Sequence, residues 1–170
     1  MAEKPEPDSV SNQKKSKRAK RPEERSDIPP IEPEGIVVER WGNPDVLDLV
    51  RNEPSIVIGK GEILFKEGDP ADCMYIVKNG TLRIRSGSIV YEDAIAGGIV
   101  GEMAMVEDDA PRSAMVYALT VSELVKLDEA RFFSLIAETP SFARTVMRVL
   151  SRRLRRMDKL YRPDKWADAR

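Results

Sequence analysis

Apolar and polar residues alternate along the middle of the chain, between residues 55 and 127. The alternating runs are short, and glycines and prolines separate them, which is typical of antiparallel β-strands joined by turns. The predicted strands cover residues 55–58, 62–65, 73–77, 81–85, 89–95, 113–118 and 122–127. Asn79 and Gly80 lie between two of these runs and favour a two-residue hairpin turn. The pattern predicts a mainly β domain, built as an antiparallel sandwich or roll.

Two helices are predicted after the strands, because the apolar period changes to that of a helix. Asp128 can cap a first helix over residues 129–138, and Pro140 begins a second helix over residues 140–161. One apolar stripe of the second helix has heptad-like steps and consists of Ala143, Met147, Leu150, Leu154, Met157 and Tyr161. A second stripe consists of Phe142, Val146 and Val149. We expect the second stripe to face the β domain, which leaves the heptad-like stripe available for a homodimer.

The first 35 residues differ in composition from the rest of the chain. They are rich in proline, serine and charged residues and hold almost no large apolar side chains, which predicts a disordered tail. Residues 14–21 form a basic block that either binds acidic proteins, RNA or anionic lipid or is simply solvated. A weak helical signal follows at residues 43–50. We place the folded domain at residues 36–162 and a short C-terminal tail at residues 163–170.

Length and composition limit the class of protein. A chain of 170 residues with 41% hydrophobic residues supports one domain with a core. The sequence has no run of eighteen apolar residues and its N-terminus is charged, so we expect a cytoplasmic protein without a membrane span. Cys73 is the only cysteine and histidine is absent, which argues against a disulfide, a zinc site or other cofactor, and Ser-His or Cys-His catalysis. We expect Cys73 to be a small core residue.

The net charge of −1 is unevenly distributed along the sequence. Residues 36–140 hold 10 basic and 18 acidic side chains, a net charge of −8, whereas residues 141–162 hold 8 basic and 1 acidic side chain, a net charge of +7. Opposite charges of this size predict that the acidic domain and the basic helix attract each other. A nucleic-acid interface on the helix is less favoured, since the acidic domain would repel phosphates.

One loop, residues 101–114, combines several groups that suit a single ligand. Gly101 permits a close approach, and Glu102 opens about one helical turn whose free N–H groups suit an anion. Arg112 can grip a phosphate with two parallel hydrogen bonds. The Glu102 carboxylate only accepts hydrogen bonds, so it suits a hydroxyl group. The loop therefore indicates a ligand that carries a phosphate beside a sugar hydroxyl.

The same loop resembles the phosphate-binding cassette of cyclic nucleotide-binding domains, in which Gly-Glu-apolar-small precedes a short loop and Pro-Arg-Ser/Thr/Ala-Ala. Residues 60–69, with Tyr75 and Gly80, are similar to the structural fingerprint of that family. The similarity covers about residues 55–160 and includes sensor domains of the catabolite activator type. It implies a cyclic nucleotide-binding β-roll, jelly-roll-like, followed by a long C-helix that covers the ligand or forms a dimer. The few residues after 161 are too short for the DNA-binding domain of such activators.

The resemblance implies a role for each residue of the loop. Arg112 pairs with the phosphate oxygens, and Glu102 accepts from the ribose 2′-hydroxyl. Ser113 offers a hydroxyl beside the phosphate and favours cyclic AMP over cyclic GMP, since a threonine at this position tends to favour cyclic GMP. Backbone N–H groups near Met103, Ala104 and Ala114 complete the phosphate cradle. The implied ligand-binding residues are Gly101, Glu102, Met103, Ala104, Arg112, Ser113 and Ala114.

Five further residues have two interpretations each. Leu82 and Val100 are either an apolar wall of the ligand site or ordinary core. Met157 and Asp158 match C-helix positions that contact adenine, but they equally suit the heptad-like stripe or the solvated surface. Arg153 matches a position that ties the C-helix to the loop carboxylate, or it is one solvated arginine in a run of four.

These inferences indicate a stand-alone bacterial sensor of a cyclic nucleotide, cyclic AMP ahead of cyclic GMP. We expect it to transmit binding through its C-terminal helix to a downstream protein partner or a second subunit. Two alternatives stay open: a ligand-free protein-interaction module of the same fold, and a nucleic-acid binder that uses the basic tail and helix. An enzyme is not expected, because the loop carboxylate has no evident acid–base partner and nothing resembles a nucleophile site.

Overall fold

The computed structural model describes residues 38–161, which form two packed β-sheets with flanking helices. The strands are β1 (Arg40–Trp41), β2 (Ser55–Ile58), β3 (Ile63–Phe65), β4 (Cys73–Asn79), β5 (Leu82–Ser86), β6 (Ile89–Ala94), β7 (Ile99–Val100), β8 (Met115–Ala118) and β9 (Ser122–Asp128). The helices are α1 (Asp45–Leu49), α2 (Glu129–Glu138), α3 (Pro140–Tyr161) and a short 3₁₀ helix, the cassette helix (Glu102–Met105). The predicted tails, residues 1–35 and 163–170, lie outside the described residues, and the side chains of residues 160 and 161 are not described. Within residues 38–161, none of the helices has the length and apolar character that a bilayer crossing requires.

The two sheets form the predicted roll. One sheet has the order β1-β6-β5-β8-β3 and the other has the order β2-β9-β4-β7. Neighbouring strands are antiparallel except β1 and β6, which run parallel. Gly80 turns the chain from β4 into β5 with a φ of +92°, and a Cβ there would lie 2.6 Å from the Val121 carbonyl oxygen. The two-residue hairpin predicted at Asn79 and Gly80 is wrong, because β4 and β5 belong to different sheets and do not pair. The predicted mainly β fold with flanking helices is confirmed.

Strand β4 separates two apolar cores, because its side chains alternate between the two faces of its sheet. Met74 and Ile76 face the helices and share a core with Phe132. Val77 faces the opposite sheet and shares a second core with Val116. The α3 stripe that is buried against the roll consists of Phe142, Val146 and Val149, as predicted.

Only part of the heptad-like stripe of α3 lies on the outer side of the helix. Met147 is 59% exposed and Leu154 is 69% exposed, whereas Leu150 packs partly against the core. The described residues therefore leave an apolar face of α3 uncovered. The homodimer that this stripe suggested stays a prediction.

Helix boundaries follow local sequence signals closely. Helix α2 has the predicted bounds, and the Asp128 side chain accepts a hydrogen bond from the Arg131 backbone N–H at 2.8 Å. Helix α1 lies within the weak helical signal at residues 43–50. The helical turn expected after Glu102 is present as the 3₁₀ cassette helix, which includes Glu102 itself.

One predicted strand begins later than expected. The strand predicted from residue 113 starts at Met115, and Ser113 lies in the preceding loop. The Gly68 N–H donates to the Arg112 carbonyl at 2.8 Å, and the Arg112 N–H donates to the Asp69 carbonyl at 2.9 Å. These bonds tie the loop to the β3–β4 turn instead of to the ladder of β8. Strands β1 and β7 were not predicted, because runs of two residues carry no period of their own.

Candidate functional site

A cavity of about 240 Å³ lies between the inner face of the roll, the loop of residues 101–114 and α3. Its wall on the roll is largely apolar and includes Phe65, Ile84, Tyr91 and Val116. Its wall on α3 includes Leu150, Leu154 and Met157. The predicted site residues that line it are Val100, Gly101, Glu102, Met103, Ala104, Arg112, Ser113, Ala114, Arg153 and Met157. The cavity therefore has charged groups from the loop and from α3 and a largely apolar lining on the roll.

Two predicted wall residues do not border this cavity. Leu82 is fully buried in the core between the two sheets and is not among the residues that line the cavity. Ile84, two positions further along β5 and therefore on the same face of the strand, does line the cavity. Asp158 also lies outside the lining, because it is one position further around α3 than Met157, which does border the cavity.

Arg112 borders the cavity with only 6% of its surface exposed. Its Nη1 donates to the Gly101 carbonyl at 3.2 Å, and its Nη2 donates to the Cys73 sulfur at 3.4 Å. The guanidinium carbon lies 4.3 Å from the centre of the Phe65 ring. Among residues 38–161, no acceptor reaches the buried Nε and no carboxylate oxygen lies within 4 Å of the guanidinium nitrogens. A buried cation without a counter-charge is costly, so this position suits an anion.

Gly101 allows the Arg112 guanidinium to lie against the start of the cassette helix. Its φ of +75° is in the left-handed region, and a Cβ added there would lie 2.4 Å from the Arg112 Nη1. Both the backbone conformation and the space therefore require glycine.

Glu102 is 2% exposed and is held by a residue of α3. The Arg153 Nη1 donates to Glu102 Oε1 at 2.5 Å, and the Arg153 Nη2 donates to the Ile99 carbonyl at 2.7 Å. Burial opposes the charge of Arg153, but attraction by Glu102 and Glu92 outweighs burial and raises the pKa of this guanidinium above its ordinary value. Arg153 therefore ties α3 to the cassette helix, and the interpretation as a solvated arginine is wrong.

A second buried carboxylate, Glu92 on β6, was missed by the sequence analysis. It is 1% exposed and accepts from Arg153 Nε at 2.9 Å, from Arg153 Nη2 at 2.7 Å and from Arg152 Nη2. Arg156 contacts Glu39 at 3.1 Å, and Arg152 also stacks over an aromatic ring. The predicted attraction between the acidic domain and the basic helix is therefore confirmed. An acidic residue inside an apolar strand, combined with the surplus of arginine in α3, was the signal that could have identified Glu92.

The rim of the cavity near the loop is more exposed. Ser113 and Met103 are both exposed, and the Ser113 hydroxyl lies 3.2 Å from the Met103 sulfur. Ala114 is buried between them and the roll. The predicted loop residues thus span the site from its buried interior to its rim.

Comparison with known proteins agrees with this geometry. Residues 56–139 match the family model described as the cyclic nucleotide-binding domain. The transcriptional activator protein Anr of Pseudomonas protegens is 34% identical over 118 residues, which cover 65% of this chain and 46% of Anr. Lysophospholipase nte1 of Neurospora crassa is 30% identical over 105 residues, which cover 59% of this chain and 7% of that protein. The catabolite activator protein of Thermus thermophilus aligns with a TM-score of 0.58 and 27% identity, over 68% of this chain and 57% of that chain.

The chain spans less than half the length of these two curated relatives, so what they share with it is a domain and not a whole protein. The matched segment contains the cassette helix, Arg112 and the strands that carry the cavity wall. Through residues 56–139, the chain belongs to the cyclic nucleotide-binding domain family.

Proposed function

We propose that this chain is a cytoplasmic sensor that binds cyclic AMP in preference to cyclic GMP and transmits binding through α3. The observation that carries the proposal is Arg112, a buried guanidinium that borders a cavity and has no carboxylate within 4 Å among residues 38–161. Its charge is available to the single negative charge of a cyclic phosphate. Substitution of Arg112 should leave that phosphate partly desolvated without a partner, which is a large penalty.

The Glu102 carboxylate is assigned to the ribose 2′-hydroxyl. It can accept this hydrogen bond beside the one that Arg153 donates, because a carboxylate has about four acceptor sites. The ligand hydroxyl would then bind to the Glu102–Arg153 ion pair, which already joins the cassette helix to α3. A ligand shifts the position of α3 only by its difference in affinity between the two positions, and this pair is where such a difference would arise.

The base is assigned to the apolar part of the cavity. Met157 borders the cavity and is 38% exposed, so it can contact a purine face and still lie at the surface of α3. Ser113 lies at the rim, where its hydroxyl is close to the proposed phosphate position, and it supports the preference for cyclic AMP. Asp158 is not included, because it does not border the cavity.

The output surface is assigned to the outer face of α3. Met147 and Leu154 are exposed there and suit a protein partner or a second copy of the chain. Binding of nucleic acid by the same helix is disfavoured, since Arg152, Arg153 and Arg156 are occupied by carboxylates of the domain.

Titration calorimetry of the full chain with cyclic AMP and then cyclic GMP tests the proposal. We expect wild-type binding, and a loss of at least ~100-fold in Arg112→Gln, because a charged hydrogen-bonding partner is removed from a desolvated anion. Arg148→Gln, at an exposed position of α3, is the matched control and should bind as the wild type does. A 2′-deoxy analogue should bind more weakly than cyclic AMP. Absence of heat and of thermal shift with both nucleotides would refute the sensor and favour a ligand-free interaction module.

A further inference from the structure

Three uncharged groups hold the Arg112 guanidinium in place. They are the Gly101 carbonyl, the Phe65 ring and the Cys73 sulfur. Such groups orient a guanidinium without cancelling its charge. A carboxylate in the same position would form an ion pair with Arg112 and would compete with any anionic ligand.

Cys73 is the one of these groups that accepts a hydrogen bond from Arg112 through its side chain, so this contact can be changed without altering the backbone. It begins β4 and is 2% exposed. The pKa of Asp72 is lowered, chiefly by its hydrogen bond with the thiol, and the pKa of Tyr75 is raised, first by burial and then by its hydrogen bond with Cys73. The Asp72 side chain is 82% exposed and does not form an ion pair with Arg112. The thiol sulfur therefore contacts the buried guanidinium, while the neighbouring carboxylate at position 72 remains exposed.

We propose that Cys73 is a positioning residue of the ligand site, which holds Arg112 in its orientation and at full charge for the phosphate of a cyclic nucleotide. This inference rests on the proposed function, because it assigns the phosphate to Arg112. Cys73 is buried, as the sequence predicted, but a role in the core alone does not account for the Nη2–sulfur contact at 3.4 Å. A sulfur is a weak acceptor, so it directs the N–H group while the phosphate remains the stronger partner.

Four variants separate charge from shape at this position. Cys73→Asn and Cys73→Asp have the same shape and differ in charge, Cys73→Ser keeps an acceptor, and Cys73→Val removes it. By calorimetric titration of the full chain with cyclic AMP, we expect Cys73→Ser to bind within about three-fold of the wild type and Cys73→Val about ten-fold more weakly, since a charged donor loses its acceptor. Cys73→Asp should bind at least ~100-fold more weakly than Cys73→Asn, because its carboxylate pairs with Arg112. Equal affinities of the Asn and Asp variants, or wild-type affinity in Cys73→Val, would overturn the proposal.

A second measurement needs no ligand. In a double-mutant cycle of Cys73→Asp with Arg112→Gln, followed by urea unfolding, the two changes should couple by at least ~ten-fold in the folding equilibrium constant. Additivity within about two-fold would overturn the proposed contact whatever nucleotide the chain binds. If the wild-type chain binds neither nucleotide, the proposed function fails, and this cycle still decides whether Cys73 and Arg112 interact.

Discussion

Replacement of Glu92 by glutamine tests the network that holds α3 to the roll. The change removes one negative charge that two guanidinium groups share, those of Arg152 and Arg153, while it keeps the shape of the side chain. Breaking a fully buried pair by removing one partner costs about 3–5 kcal/mol. Here the Arg152 and Arg153 side chains retain 23% and 18% exposure, and Arg153 keeps its bond to Glu102, so solvent and the second carboxylate compensate in part. We therefore expect Glu92→Gln to reduce the free energy of unfolding by about 2–3 kcal/mol.

Urea unfolding at pH 7 measures this loss through the midpoint of the transition. With a slope of about 2 kcal/mol per molar urea, the midpoint should fall by roughly 1–1.5 M. Glu67→Gln, at an exposed position, is the control and should unfold within about 0.5 kcal/mol of the wild type. Addition of Arg152→Gln to the Glu92 variant should restore part of the stability, because it removes a cation that has lost its buried carboxylate and keeps only the half-exposed Glu39 at 3.9 Å. An unfolding midpoint of Glu92→Gln equal to that of Glu67→Gln would refute the reasoning that this carboxylate secures α3.

Three further predictions concern single positions. Asp128→Ala removes the N-cap of α2 and should cost about 1 kcal/mol in thermal unfolding, and a loss below about 0.3 kcal/mol would contradict it. Gly101→Ala puts an alanine into the left-handed backbone region and brings its Cβ against Arg112. We therefore expect the free energy of unfolding to fall by about 1–2 kcal/mol, together with weaker nucleotide binding in calorimetry. The pKa of Glu138 is lowered, chiefly by its hydrogen bond from Ser134, so its stabilising effect is present above the ordinary value of 4.5 and is lost as the pH falls through the folded-state pKa. An NMR titration should place the Glu138 midpoint below 4.5, and Ser134→Ala should move it upward; an unchanged midpoint in that variant would exclude the hydrogen bond as the cause.

Local sequence signals correctly predicted those features of the fold that depend only on residues close together in the chain. The Asp128 cap and the alternation of β4 are each determined by a few consecutive residues, and the structure contains both. The Asn79-Gly80 signal predicted a turn correctly but a hairpin wrongly, because strand pairing depends on residues far along the chain. Glu102 and Arg112 are only ten positions apart in one loop, so the sequence indicated that they lie near each other. Both border the same cavity.

Pairings across the chain could not be predicted in the same way. Glu92 and Arg153 are 61 positions apart, and only the packing of α3 on β6 brings the carboxylate to the guanidinium. Leu82 shows a related limit, since alternation fixes which residues share a face but not which of them reach a cavity, and it is Ile84 that lines this one. The charge imbalance predicted that the domain and the helix attract each other, but it did not predict which carboxylate pairs with each arginine.

Leu154 belongs to two surfaces at once, since it lines the cavity and is 69% exposed on the outer face of α3. A protein that covers this side chain would also cover part of the cavity in which the proposed nucleotide lies. Dissociation of the nucleotide would then slow in the complex, and its lifetime on the protein would depend on the concentration of the partner. By thermodynamic linkage, a partner that raises the affinity for the nucleotide by a given factor has its own affinity raised by the nucleotide by the same factor.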